Sequence, residues 1–217
     1  MDYSAILNAA GIFIYGMMGI VAIYGVICVV LLLRKIGQKR FSNPNAQAEF
    51  LDEVGELCKK RRFDEVAEMC DTPGLWSKAV PQLIIVALQN QDRSPQKLRR
   101  LVAEQFEREI LADLEYRLSW INTIVKSAPM LGLLGTVIGM IMAFQTIAGS
   151  ADTGTDPTAL AEDIGIALFT TALGLTIAIP LVLAAAFTNV RIGKLQDAVQ
   201  EAVGIFLDDF ESARKSA

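Results

Sequence analysis

The sequence contains no histidine among its 217 residues. Without histidine, a chain cannot form the Ser-His or Cys-His pair that activates a nucleophile, and it lacks the commonest side-chain ligand of transition metals. It also has no phosphate-cradling loop that follows a strand and no sign of a buried carboxylate pair. The sequence therefore argues against an enzyme, and we expect no bound metal and no other cofactor.

Cysteines and basic runs are also scarce. The three cysteines are Cys28, Cys58 and Cys70, and the last two lie twelve positions apart, without the Cys-x-x-Cys spacing of a zinc or redox site. We expect all three to be buried or reduced thiols. The net charge is −4 and the longest basic run is Lys59–Arg62, so binding to nucleic acid is not expected.

Three long stretches lack any charged residue. They cover positions 3–33, 127–151 and 164–190, which are 31, 25 and 27 residues long, although the whole chain has 20 basic and 24 acidic residues. A helix needs about 20 apolar residues to cross a bilayer. The sequence therefore predicts an all-α integral membrane protein with three transmembrane helices and a polar, helical soluble part.

The basic residues are distributed on one side of these spans. Sixteen of the 20 lie between positions 34 and 126, and the other four lie after position 190. Because basic residues favour the cytoplasmic side of a membrane, we expect an outer N-terminus, a cytoplasmic region at 34–126, a cytoplasmic tail and an outer loop at 149–163. Residues 1–33 have no basic leader and no evident cleavage site, so they are predicted to hold an uncleaved first span.

The region 34–94 is predicted to be a cytoplasmic helical region. Apolar residues recur at helical spacing over 46–69, which indicates two short amphipathic helices. The run Leu83–Leu88 is too short to cross a membrane. It is therefore predicted to be the buried face of a helix that begins near Leu75 or Pro81.

A longer apolar stripe follows Ser94 and Pro95, which are typical of a helix N-cap and first helical residue. The stripe steps by three and four residues, and no helix-ending signal occurs before Pro129. An uninterrupted helix from Pro95 to Phe144 is therefore predicted. In this interpretation 95–148 forms a long cytoplasmic helix that is continuous with the second span.

The third span, 164–190, is followed by a similar stripe in the tail, 191–217. Two of the three membrane helices are thus predicted to extend far into the cytoplasm. A single copy would leave these apolar stripes exposed to water. We therefore expect the chain to associate with further copies of itself.

The second span carries small residues on one helical face. Their steps of three and four residues allow a close approach of another helix, and the same pattern also suits simple packing. Thr136 lies beside this face. The small residues are Ala128, Gly132, Gly135, Gly139 and Ala143.

The third span combines small and polar residues. It contains Gly174, the adjacent pair Thr170 and Thr171, and Thr176 four residues before Pro180. Proline has no N–H, so the carbonyl of Thr176 loses its helical donor and needs another partner. Each threonine hydroxyl could instead bond to a carbonyl of its own helix.

Two segments resemble a known family. The sequence APMLGLLGTVIGMI at 128–141 resembles the second-span hallmark of the ExbB/TolQ/MotA proton-channel family, and TTALGL at 170–175 followed by Ile179 and Pro180 resembles its third-span motif. Three spans with an outer N-terminus match ExbB and TolQ better than the four-span MotA.

The resemblance implies a stator-type subunit of a bacterial inner-membrane motor. Five copies would form a ring, and spans two and three would line a central channel around a dimeric ExbD- or TolR-like partner. Proton flow would then move that partner and power transport or envelope processes. The process that is driven stays open at this point.

By position, the resemblance also implies a set of site residues. Thr136 and Thr171 match the two channel-facing threonines of the family, and the adjacent Thr170 is a further candidate for the proton pathway. ExbB- and TolQ-like members usually have a glutamate where this chain has Ile166, and Glu162, one turn earlier, is a candidate acid at the outer mouth. The pore-facing or helix-packing positions are Ala128, Pro129, Gly132, Gly135, Gly139, Gly174 and Pro180.

None of the three charge-free stretches holds a carboxylate, lysine, arginine or histidine, the groups that usually carry protons within a membrane. If the chain conducts protons, a partner must supply the carrier, and an aspartate on a single-span helix would serve. The alternative is a membrane-anchored scaffold that assembles other proteins and conducts nothing. A solute transporter is less well supported, because three spans offer no inverted repeat.

Overall fold

The structure, a computed structural model, describes residues 3–41, 43–149 and 157–215, and over these ranges it contains helices and no strand. Three helical stretches are long and apolar enough to cross a membrane: Ala9–Lys39, Pro95–Ala148 and Leu160–Arg214. The prediction of an all-α chain with three membrane-length helices is therefore confirmed. In chain order, the described helices are α1 (Tyr3–Lys39), α2 (Pro44–Lys59), α3 (Phe63–Cys70), α4 (Ala79–Gln89), α5 (Pro95–Gln105), a π-helical segment (Phe106–Leu111), α6 (Ala112–Gly149) and α7 (Pro157–Lys215).

The chain divides into two compact units. One comprises Met1–Val30 and Leu118–Phe187 and is called the apolar unit below. The other comprises Leu31–Arg117 and Thr188–Ala217 and is called the polar unit. Each is described by itself.

In the apolar unit, α1, α6 and α7 pack through small residues. A Cβ atom on Gly25 of α1 would lie 2.7 Å from Cδ1 of Leu181 and 3.3 Å from Cγ2 of Ile124, so glycine lets α1 approach both other helices. The outward side chains of this unit are large and apolar, and Leu133 and Leu168 are examples. Such a surface suits lipid better than water.

In the polar unit, the short helices surround aromatic and aliphatic side chains of α7. The Phe210 ring lies 5.1 Å from the Phe63 ring and 5.7 Å from the Phe206 ring, centroid to centroid, and Phe210 is fully buried. Burial and then the Asp209 carboxylate raise the pKa of the Cys58 thiol to about 11, and burial and then Cys58 raise the pKa of Cys70 to about 12. Both thiols are therefore protonated and unreactive in the folded unit at neutral pH.

The two amphipathic helices predicted over 46–69 are present as α2 and α3. The helix predicted to begin near Leu75 or Pro81 begins at Ala79. Ser94 is the N-cap of α5 and Pro95 follows it, as predicted, although the Ser94 side chain makes no capping hydrogen bond.

The continuous helix predicted from Pro95 is present as the helical stretch Pro95–Ala148. Within it, Phe106–Leu111 forms a π-helical segment that the apolar spacing did not predict. The buried residues Leu98, Val102, Phe106, Ile110 and Leu114 recur every four positions. An α-helix has about 3.6 residues per turn, so a four-residue step rotates such a stripe by about 40° each time. A wider π-turn takes up this rotation and keeps the stripe on one side.

The region 149–163, predicted to be an outer loop, is partly helical. Residues 157–163 form the first turns of α7, and 150–156 lie outside the described residues. The sequence Pro-Thr-Ala-Leu-Ala-Glu-Asp favours this outcome, since proline suits the first helical position and alanine and leucine favour helix.

Ion pairs join distant segments of the polar unit. Arg99 of α5 donates to Asp208 at 2.6 Å and to Glu211 at 2.9 Å, both on α7. Lys35 of α1 lies 2.6 Å from Asp113 of α6. Burial would raise the pKa of the Asp113 carboxyl, but hydrogen bonds from Lys35 and Arg117 hold it below its ordinary value.

We expect Phe210→Ala to destabilise the polar unit by about 3 to 5 kcal/mol, because it removes a fully buried ring and leaves a cavity. The measurement is the labelling rate of Cys58 and Cys70 by a thiol reagent in detergent, in a chain carrying Cys28→Ala. A loss of about 3 kcal/mol corresponds to about a hundredfold faster labelling when the unit opens and recloses faster than the reagent reacts, because the labelling rate then follows the population of the open form. Ile205→Ala, at a position that is 45% exposed, serves as the control and should label like the parent. Equal rates for the two variants would contradict this account of the core.

Candidate functional site between α6 and α7

Within the apolar unit, α6 and α7 touch along a line of small residues, called here the small-residue seam. It joins Ala128, Gly132, Gly135 and Gly139 of α6 to Ala167, Thr170, Thr171 and Gly174 of α7. The spacing of three and four residues on both helices places each set on one face. The seam therefore contains most of the residues that the sequence singled out.

The glycines are required because backbone atoms fill the space beside them. A Cβ atom on Gly132 would lie 2.9 Å from the carbonyl oxygen of Thr170, and one on Gly174 would lie 2.8 Å from the carbonyl oxygen of Ala128. On Gly139, it would lie 3.0 Å from the Cα atom of Ala167 and 2.5 Å from its Cβ atom, which is held in place by the backbone. Backbone cannot rotate away as a side chain can, so any larger residue would push the two helices apart.

Thr170 links the two helices through its hydroxyl. Its Oγ1 lies 2.7 Å from the carbonyl oxygen of Ala167 on its own helix and 3.2 Å from that of Gly132 on α6. The residue is 3% exposed. Thr170 thus has a packing role that its position in the sequence motif did not reveal.

Thr171 differs from its neighbour. Its Oγ1 atom is buried, and it has no hydrogen-bond partner in the part of the chain that the structure describes. A buried hydroxyl without a partner is costly, by about 1 to 3 kcal/mol. Such groups are rare in folded proteins and call for an explanation.

Thr136 does not join this cluster. Its hydroxyl donates to the carbonyl of Leu133 on its own helix at 2.7 Å, and no hydrogen bond connects it with Thr171 among the described residues. Thr176 likewise donates to its own helix, at Ala172. Pro180 is exposed and Pro129 is partly exposed, so neither lies in the seam. Their predicted roles in a pathway stay predictions.

The described acid at the start of α7 that contacts α6 is Asp163, and the predicted role of its neighbour Glu162 at an outer mouth stays a prediction. Glu162 is exposed, whereas Asp163 accepts a hydrogen bond from Thr146 of α6, with 2.9 Å between Oγ1 and Oδ2. The signal was available, because Asp163 lies four residues before Ala167 and therefore on the seam face of α7. Sequence reasoning missed it because it looked for an acid aligned with Ile166.

We expect Gly174→Ala to destabilise the apolar unit by about 1 to 3 kcal/mol, since its Cβ atom would collide with the Ala128 backbone. The matched control is Gly165→Ala on the same helix, where a Cβ atom would meet nothing within 4 Å. The control should be neutral or slightly stabilising, because alanine favours helix. Thermal denaturation in detergent, followed by circular dichroism, checks the difference. Equal midpoints for the two variants would show that the seam is not closely packed.

Known proteins are similar to this chain over the region that contains the seam. The model of the MotA/TolQ/ExbB proton channel family matches residues 76–201, which include the whole seam. The Tol-Pal system protein TolQ of Haemophilus influenzae is 35% identical over 100 residues, which cover 46% of this chain and 41% of that protein. Biopolymer transport protein exbB1 of Vibrio cholerae is 49% identical over 55 residues, 25% of this chain and 24% of that one.

A longer match of lower identity is to a protein of Methanothermobacter thermautotrophicus named as a putative ExbB homolog of biopolymer transport. It is 28% identical over 163 residues, 75% of this chain and 55% of that protein. The chain thus spans about half or less of the length of these curated relatives.

Among solved structures, the fold is similar to a chain of Campylobacter jejuni MotAB. The TM-score is 0.59, the sequence identity is 15%, and the match covers 92% of this chain and 76% of that one. At this identity the likeness shows the fold alone. With a family model matched over more than half of its length and three membrane-length helices, the chain belongs to the MotA/TolQ/ExbB proton channel family and is a multi-pass protein of the inner membrane.

Proposed function

We propose that this chain is a stator-type channel subunit of a proton-driven motor and not an enzyme. Five copies surround the membrane helices of a single-span ExbD- or TolR-like partner, and proton flow moves that partner to power transport or envelope processes. The family match supports the channel role. The names of the relatives, which refer to biopolymer transport and to the Tol-Pal system, support the kind of process.

A partner is needed because the membrane stretches of α6 and α7 contain no ionisable residue that could carry a proton. Positions 127–151 and 164–190 hold no ionisable carboxylate, lysine, arginine or histidine, so these stretches cannot hold a titrating proton by themselves. A carboxylate is the usual carrier within a membrane. An aspartate on the membrane helix of the partner would supply it.

The observation that carries the proposal is the buried, unbonded hydroxyl of Thr171. A hydroxyl can donate to an ionised carboxylate and can accept from a protonated one. It therefore suits a carrier that alternates between these two states. Thr136, beside the seam on α6, would be a second hydroxyl on the same route.

The layout of the chain in the membrane is part of the proposal. Basic residues at 34–126 and after 190 support a cytoplasmic location for both regions, with the N-terminus outside. Helices α6 and α7 then continue from their membrane spans into the cytoplasm. Their apolar stripes support association of several copies.

The first test is the native mass of the purified chain in detergent, as a multiple of 23.6 kDa. We expect five copies, because a closed ring creates the central space that a partner helix occupies. A monomer or dimer, both alone and after co-expression with the partner, would contradict the channel and favour the non-conducting scaffold.

The second test is proton flux into vesicles that contain the chain with its ExbD/TolR-like partner. Thr171→Val keeps the shape and removes the hydroxyl, and it should lower the flux about tenfold or more, since a hydrogen bond to a charged group is worth about 1.5 to 3 kcal/mol. Thr176→Val is the matched control on the same helix, because its hydroxyl bonds only to its own helix at 2.8 Å. Flux through Thr171→Val at the level of this control would exclude the assigned role.

A further inference from the structure

Asp163 has a contact that no other described acid of the apolar unit has. It accepts a hydrogen bond from Thr146 on the neighbouring helix, whereas Glu162, the adjacent acid, is exposed. The same Thr146 hydroxyl lies 3.2 Å from the carbonyl oxygen of Met142. One hydroxyl thus lies between a carboxylate and a backbone carbonyl.

The position of Asp163 extends the small-residue seam. Asp163, Ala167, Thr170 and Gly174 follow one another at steps of four, three and four residues, so they share one face of α7. At about 1.5 Å per residue, Asp163 lies about 10 Å along the helix from Thr170. Of the two adjacent described acids, Glu162 and Asp163, it is the one that contacts α6.

The hydrogen-bond chemistry of this contact accommodates a proton. When Asp163 is ionised, the Thr146 hydroxyl donates to the carboxylate. When Asp163 is protonated, its O–H can donate to Thr146 Oγ1, and the Thr146 hydroxyl turns to the Met142 carbonyl. Both states keep α6 and α7 joined, so uptake and release of a proton need no separation of the helices.

The apolar unit has few other ionisable groups among its described side chains. They are Glu162 beside Asp163 on α7, Lys126 on α6, and Tyr15, Tyr24 and Cys28 on α1. Lys126 is twenty residues from Thr146, about 30 Å along the helix. No lysine or arginine of this described set is placed to pair with Asp163.

We infer that Asp163, held by Thr146, is the carboxylate of this chain through which protons enter the seam, an inference that rests on the proposed function. In uptake, hydronium from the outer solution loses a proton as an O–H bond forms on Asp163. In release, that bond breaks and the proton passes to a water molecule or to the carboxylate of the partner. The net change at Asp163 over one cycle is zero.

The first experiment does not depend on proton flux. Infrared spectra of the full chain in lipid vesicles are recorded across a pH titration, and the spectra of variants are subtracted. We expect Asp163→Asn to remove one titrating carboxyl band. Thr146→Val should shift the same band to higher frequency, because the carboxyl loses a hydrogen bond.

Three variants make this result specific. Asp197→Asn is the same substitution at an exposed position of α7, and Thr123→Val removes a hydroxyl that bonds only to its own helix. Neither should alter the band that depends on Asp163 and Thr146. Loss of that band in Glu162→Gln, or no band that depends on Asp163, would overturn the inference.

The second experiment is proton flux in vesicles with the partner present. Asp163→Asn keeps the shape and an acceptor for Thr146 but cannot take up a proton, and it should lower the flux at least about tenfold. Asp197→Asn should conduct like the parent. If the parent conducts and Asp163→Asn conducts equally well, the inference is overturned and the proposed function stands. If the parent does not conduct at all, the proposed function fails, and the infrared titration still decides whether Asp163 takes up protons.

Discussion

The close approach of α6 and α7 is the constraint on which the rest of the apolar unit depends. Backbone atoms of one helix fill the space where the glycines of the other would carry side chains, at Gly132 and Gly174 above all. The close contact leaves no room for large or charged side chains, so the few polar atoms within it are of particular interest. Thr170 bonds across the seam, Thr171 finds no partner in the described chain, and Asp163 closes one end.

Much of the fold could be predicted from the sequence because charge and periodicity report on it directly. Charge-free stretches identify the membrane helices, and apolar spacing predicts α2, α3 and α4. The π-helical segment was missed because steps of three and four were treated as equivalent. A spacing of four residues exceeds the 3.6 residues of an α-helical turn, so five apolar residues at this spacing would wind around a regular α-helix. The burial of all five, from Leu98 to Leu114, shows that they nevertheless lie on one side of the helix.

The site could be predicted only in part. Sequence spacing identifies the glycine face and the threonines, but it cannot tell which hydroxyl is satisfied by its own helix. Thr136 and Thr171 look equivalent in the motifs, yet one bonds to Leu133 and the other to nothing described. The choice between Glu162 and Asp163 likewise depends on which side chain reaches α6, and that requires coordinates.

The π-helical segment also affects how the long helix tolerates changes in length. A π-turn holds about one residue more than an α-turn. Removing one residue within Phe106–Leu111 would let that turn close into ordinary α-helix, with both flanks keeping their orientation. Elsewhere between Pro95 and Ala148, a one-residue deletion rotates everything beyond it by about 100°. Natural variation in helix length should therefore concentrate at this segment.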